Sequence, residues 1–295
     1  MRHLVAALLA CCTLAGCARA APPTAGDQPA ALNKAYERSA AGRIVAIGDL
    51  HGDLDATRRA LRLAGAIGAD DRWTGGSLVV VQTGDSIDRG DDDRAVLELL
   101  DRLFVESARV GGALIALSGN HEVMNVQGDL RYVSKKSAAA FEQGRARAFA
   151  PSAQFARLLA SWPVIVKVGD SLFAHGGVLP AHVKYGIEKI NQETAQWMRG
   201  ERAAPPLLLR EDSPVWTRLY SADPGPAECA QLEQVLTALG AARLVVGHTP
   251  QPNGISSACN DKVWRIDTGM SHFYGGTLQV LDIEAGQVSV RAQPK

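Results

Sequence analysis

The sequence predicts an α/β domain in which two mixed β-sheets pack as a sandwich between helices, with a helical insertion after the third strand. Three observations predict it. Short apolar runs alternate with helical patterns in the first part of the chain, and strand pairs dominate the later part. Five of the apolar runs end in loops built from Gly, Asp, Asn and His. Such strand ends are where open α/β sheets place their chemistry.

The first strand, Arg43-Ile44-Val45-Ala46-Ile47, ends at Gly48-Asp49-Leu50-His51-Gly52. Asp53 then caps a helix carrying Leu54, Leu61 and Leu63. The second strand, Leu78 to Val81, leads to Gly84-Asp85-Ser86-Ile87-Asp88-Arg89-Gly90, two carboxylate-bearing positions and a guanidinium between glycines that allow a tight turn. Asp91-Asp92-Asp93 opens a helix patterned by Val96, Leu97, Leu99, Leu100 and Leu103, and acids in a first turn suit the helix dipole better than a metal. The third strand, Ala113 to Leu117, ends at Ser118-Gly119-Asn120-His121-Glu122. Val123 to Tyr132 reads as irregular. Ser134 to Ser161 reads as a helical insertion broken near Pro151, with Lys135, Lys136, Arg145 and Arg147 on a solvated face.

Val164-Ile165-Val166 and Leu172-Phe173-Ala174 pair around Gly169-Asp170, and the second ends at His175-Gly176-Gly177. A variable region runs to about Pro226, followed by a helix containing Leu232, Val235, Leu236 and Leu239. Leu244-Val245-Val246 ends at Gly247-His248-Thr249-Pro250. Val263 to Ile266, Thr277 to Ile283 and Val288 to Val290 alternate like antiparallel strands.

The N-terminus is different material. Arg2 and His3 precede the apolar run Leu4 to Leu14 and then Ala15-Gly16-Cys17, the pattern of a signal peptide. Leu14-Ala15-Gly16-Cys17 resembles the bacterial lipobox, which implies lipidation at Cys17; cleavage after Ala20 is the alternative. Residues 1–17 are then the signal, 18–41 a flexible tether and 42–295 the functional domain. The expected location is the bacterial cell envelope, lipid-anchored in the outer membrane and facing the periplasm. Cys229 and Cys259 remain for an oxidising compartment, where a disulfide and two free thiols both stay open. Formal net charge is +0 with no long block of one sign, which argues against a nucleic-acid partner. A monomer is expected.

Four of the seven histidines lie in the five loops, beside Asp49, Asp85 and Asn120. Imidazole, carboxylate and amide oxygen without thiolate suit divalent manganese, iron or zinc. The set is larger than one catalytic zinc needs, so two ions fit better. No Walker loop, dinucleotide fingerprint, Gly-x-Ser-x-Gly elbow or His-Glu-x-x-His is present.

At these loops the chain resembles the calcineurin-like metallophosphoesterases, and within them the phosphoprotein-phosphatase branch. The run Met124-Asn125-Val126-Gln127-Gly128-Asp129-Leu130-Arg131-Tyr132 is similar to the Shewanella-like protein phosphatases. Ile266-Asp267-Thr268-Gly269-Met270-Ser271 departs from the eukaryotic Ser/Thr enzymes. The resemblance implies the metallophosphoesterase sandwich and hydrolysis of phosphomonoesters by hydroxide shared between two metals. Asp49 and His51 would hold one ion; Asn120, His175 and His248 the other; Asp85 would bridge. His121 would be the general acid, oriented by Asp88. Arg89, Arg218 and Asn120 would bind phosphate. The implied substrate is a phosphorylated protein or peptide, with a phosphotyrosine preference. A dinucleoside-tetraphosphate hydrolase, a broad periplasmic phosphomonoesterase and a non-catalytic binding lipoprotein are the alternatives. Membrane contact would be through the lipid alone.

Overall fold

The computed structural model describes residues 36–39 and 42–293, so the signal segment, Cys17 and most of the expected tether lie outside the described residues. The first sheet holds β2 (Ile44–Ile47), β3 (Val79–Gln82), β4 (Ala113–Ala116), β10 (Gln279–Glu284) and β11 (Gln287–Ala292), in the order β11-β10-β2-β3-β4. The second holds β1 (Glu37–Arg38), β5 (Ile165–Val168), β6 (Ser171–Ala174), β7 (Arg243–Val246), β8 (Ser256–Ala258) and β9 (Val263–Arg265), in the order β1-β5-β6-β7-β9-β8. Both are mixed. β2, β3 and β4 run parallel in one, β6, β7 and β9 in the other.

Central strands of only four residues are buried along their whole length because both faces are covered. Ile44, Ala46, Val79 and Val81 meet Val166, Phe173 and Val245 in a core between the sheets. Their neighbours Val45, Ile47 and Val80 turn the other way, into the larger core shared with helices. That alternation is the period of a strand.

Helix α1 (Leu54–Ala64) starts as expected: Asp53 accepts the Ala56 amide at 2.8 Å, and Gly65 closes the helix at φ 75°. α2 (Asp93–Arg109) follows the triple-Asp run. α3 (Asn120–Gln127) was not foreseen, since Val123 to Tyr132 carries no clear apolar period; seven of its eight residues are buried. The insertion is three short helices, α4 (Lys135–Ala139), α5 (Arg145–Phe149) and α6 (Gln154–Leu159). Its solvated face includes Lys135, Lys136 and Arg147, but Arg145 is only 3% exposed and faces the core.

The variable region folds into α7 (Pro180–Tyr185), α8 (Ile187–Met198) and a 3₁₀ turn at Pro206–Leu209, before α9 (Pro226–Leu239). The antiparallel reading of the C-terminal runs holds for β10 and β11 and fails for β9, which is parallel to β7 and antiparallel only to the short β8. Alternation shows which face a residue occupies; it carries no strand direction. Tyr36–Arg38, at the end of the expected tether, are ordered: β1 pairs with β5 and Tyr36 is buried. Cys229 and Cys259 form a disulfide, with Cα atoms 5.2 Å apart.

Candidate metal centre

Parallel strands put their C-terminal loops at the same end of each sheet, which gathers the five loops of interest. The backbone is tight there. His51, Asp85, Asp88, Arg89 and His248 all adopt positive φ, between 47° and 71°, a conformation that non-glycine residues hold only where surroundings enforce it. Gly90 is required because a Cβ would run into the His51 and Gly52 carbonyls. Glu122 joins two loops by accepting the Gly119, Asp85 and Ser86 amides at 2.7, 2.9 and 2.9 Å.

Tautomers follow from these contacts. His175 Nδ1 donates to the Thr83 carbonyl at 3.0 Å, and His248 Nε2 donates to the Trp216 carbonyl at 3.0 Å. A carbonyl only accepts, so in the neutral rings His175 Nε2 and His248 Nδ1 carry lone pairs. These two atoms are 3.1 Å apart. His175 Nε2 is also 2.9 Å from Asn120 Oδ1 and 3.2 Å from Asp85 Oδ2. The Asn120 amide nitrogen faces Met124 Sδ at 3.9 Å, which aims its oxygen inward. Four electron-rich atoms at this spacing repel one another unless a cation sits among them. The donor set therefore fits a divalent ion.

Asp85 Oδ2 is the common vertex. Besides His175, it lies 4.0 Å from His51 Nε2 and 3.8 Å from His121 Nε2. Two compact groups share it: Asp85, His175 and His248, and His51, Asp85 and His121. Asp49 lies beside the second group, 3.8 Å from His51 Nε2, and accepts the His248 amide with both oxygens at 3.2 Å. Thus the structure gathers Asp49, His51, Asp85, Asn120, His175 and His248, and places His121 Nε2 beside Asp85.

Electrostatics agree with a cation site. Burial, then Asp267 and Asp85, push the Asp49 carboxyl well above its ordinary value. Burial pushes Glu122 up to about 7 and Asp267 to about 6. Burial would raise Asp85 too, but His175 and His121, in their protonated forms, outweigh it and hold that carboxyl well below the usual range. Burial lowers His51 to about 4 and, with His175, His248 to about 2, keeping both rings neutral as metal ligands require. The cluster is rich in buried acids that must take up protons or a metal.

His121 Nδ1 lies 2.7 Å from Asp88 Oδ2, and Asp88 is fully buried. Burial lowers the His121 pKa, but Asp85 and the Asp88 hydrogen bond more than offset this and raise it. Arg89 stacks 3.8 Å over the Tyr132 ring and 5.2 Å from Phe273, with a buried Nε that has no hydrogen-bond partner among the described residues. Arg218 is exposed, donating to the His248 carbonyl at 2.7 Å and Thr249 Oγ1 at 2.8 Å. Tyr274 lies 5.1 Å from His51 and Tyr132 5.1 Å from His121, so aromatic rings flank the site on both sides.

Sequence reasoning missed Arg145, Asn125 and Asp93. Asp93 lies in the first turn of α2, as the helix-dipole reading places it, and is buried there in a pair with Arg145 at 2.8 Å. Of the remaining histidines, His182 caps α7, accepting the Leu179 amide and donating to the Asp212 carbonyl.

A cage of this donor chemistry at the strand ends of a two-sheet sandwich defines a metal-dependent phosphoesterase. The chain belongs to the calcineurin-like phosphoesterase family, whose model matches residues 42–252, and is a hydrolase acting on phosphoric esters. It is 40% identical over 279 residues to Shewanella-like protein phosphatase 2 of Arabidopsis thaliana, covering 78% of this chain and 71% of that one. It is 34% identical over 248 residues to Shewanella-like protein phosphatase 1 of Plasmodium berghei, covering 79% and 68%. The crystal structure of a cold-active protein-tyrosine phosphatase from a psychrophilic Shewanella superposes with a TM-score of 0.76 at 25% identity, covering 86% of this chain and 79% of that chain.

Proposed function

We propose that this chain is a binuclear phosphoprotein phosphatase with a preference for phosphotyrosine. The observation that carries the reading is the placing of Arg89 between Tyr132 and Phe273, beside the donor cage. A guanidinium there binds phosphate oxygens while the rings accept an aryl group. The two relatives are named protein phosphatases, and the superposed structure is named a protein-tyrosine phosphatase.

Asp49, His51 and Asp85 would hold one ion and Asp85, Asn120, His175 and His248 the second. Bound there, the pair supplies Lewis acidity that lowers the pKa of a water and offsets phosphoryl charge. The chain does the rest. Arg89 and Arg218 clamp the phosphoryl group. As a water oxygen forms the new bond to phosphorus, the bond from phosphorus to the leaving oxygen breaks with its electron pair on that oxygen. His121 Nε2–H then supplies the proton, leaving a neutral ring that Asp88 keeps oriented.

Phosphate release from phosphotyrosine peptides, phosphoserine peptides and dinucleoside polyphosphates tests the reading. Phosphotyrosine peptides should exceed both others by at least about tenfold in kcat/KM. Equal rates on all three, or preference for the dinucleotide, would refute it.

A further inference from the structure

Arg145 is an odd residue for its position. It sits on the five-residue helix α5 of the insertion, 57 residues from Asp88 in sequence, yet it is buried with every nitrogen engaged. Nε donates to Asn125 Oδ1 at 2.7 Å, Nη2 to Asp88 Oδ1 at 3.1 Å and Nη1 to Ser137 Oγ at 3.2 Å; Nη1 also pairs with Asp93 Oδ2 at 2.8 Å. Phe149 and Phe141 cover the guanidinium, with ring centroids 4.2 and 4.7 Å away. Among the described residues it is the one Arg or Lys paired with either buried carboxylate.

We propose that Arg145 is a positioning residue: it fixes the Asp88 carboxylate and, through it, the His121 ring. The two Asp88 oxygens have separate duties. Oδ2 meets His121 Nδ1 at 2.7 Å, and Oδ1 meets Arg145. Asn125 Nδ2 touches both at 3.0 Å and so does not choose between rotations of the carboxylate about its own bond. Arg145 does choose, because its planar fork is itself anchored on Asp93, Ser137 and Asn125. A buried ion pair is a poor source of net stability compared with apolar packing, and the Phe141–Phe149 pocket would accept a Met or Leu. What an apolar side chain cannot do there is set the direction in which Asp88 points. The insertion thus reaches into the proton-donor apparatus.

The proposal rests on the reading of His121 as the acid, and the test separates the two. Metal-loaded wild type, Arg145→Gln, Arg145→Lys, His121→Asn and the His121→Asn/Arg145→Gln double variant are assayed on phenyl phosphate and 4-nitrophenyl phosphate. The second has a far more stable leaving phenolate and little need of a proton. Arg145→Gln should lower kcat on phenyl phosphate by about 10–100-fold and on 4-nitrophenyl phosphate by less than about threefold, with KM within about twofold. Arg145→Lys should recover part of the loss. In the His121→Asn background the Arg145 change should cost nothing further. Equal losses on both substrates, or losses that multiply with His121→Asn, would overturn the proposal while leaving the acid reading intact. Should the Gln variant fail to fold, the Lys variant carries the same comparison. If His121→Asn itself treats both esters alike, the acid reading falls and Arg145's role falls with it.

Discussion

Replacing Asp85 by Asn tests the cage at its shared vertex. Asp85 Oδ2 belongs to both donor groups, so one substitution should weaken both ions together. Loss of an outer partner of a ligand commonly costs 10–100-fold in metal affinity, and loss of a shared carboxylate should cost at least ~100-fold per site. At free metal ~100 times Kd, each ion stabilises the fold by about 2.7 kcal/mol, or about 5.4 kcal/mol for two. In a domain of roughly 250 residues that raises Tm by about 10–20 °C. For Asp85→Asn the same metal concentration becomes comparable to Kd. Each ion then adds only ~0.4 kcal/mol, and the metal-induced rise shrinks to about 2–3 °C. Thermal denaturation with and without manganese, with elemental analysis of the dialysed protein, measures this. A variant that keeps two metals per chain and the full rise in Tm would refute the shared-vertex argument.

His121→Asn should keep its metals and lose about 10²–10⁴-fold in kcat on an ester with a poor leaving group. In the metal-free protein Asp85 and Asp88 raise the wild-type ring above its ordinary value of 6.5 against the pull of burial. That ionisation stabilises the fold below 6.5 and is lost as pH climbs through the folded value, so the thermal stability of the metal-free protein should decline across that window. A decline of the same size in metal-free His121→Asn would contradict this. Arg89→Met should lower kcat/KM by about 10–100-fold, the worth of a charge-assisted phosphate contact, and weaken inhibition by inorganic phosphate similarly; an unchanged phosphate Ki would exclude the clamp. Cys229→Ser removes a crosslink between residues 30 apart in sequence. It should cost about 3–4 kcal/mol, seen as a Tm drop that reductant reproduces in the wild type; a Tm that neither change moves would refute that contribution.

The donor atoms that the structure brings together were legible in the sequence because each of their loops carries turn residues and donor atoms in one short stretch. Gly48-Asp49-Leu50-His51-Gly52 and Gly119-Asn120-His121-Glu122 state both the backbone turn and the ligand chemistry locally. Pairing of β9 with β7 was not legible, since a three-residue strand carries no mark of direction. Nor was Arg145. Its Ala-rich surroundings look like a surface helix, and its partners Asp88, Asp93 and Asn125 lie 57, 52 and 20 residues away. The triple-Asp run marks the first turn of α2 but carries no sign that Asp93 faces inward, where it accepts the Asp88 amide and meets Arg145. The aromatic flank formed by Tyr132, Phe273 and Tyr274 depends on two loops 141 residues apart meeting across Arg89.

Anomalous diffraction from crystals grown with manganese tests the central claim most directly. Two peaks per chain should appear: one within bonding distance of His175 Nε2, His248 Nδ1, Asn120 Oδ1 and Asp85, the other within bonding distance of Asp49, His51 and Asp85. A single peak, or ions that make no bond to Asp85, would contradict the account.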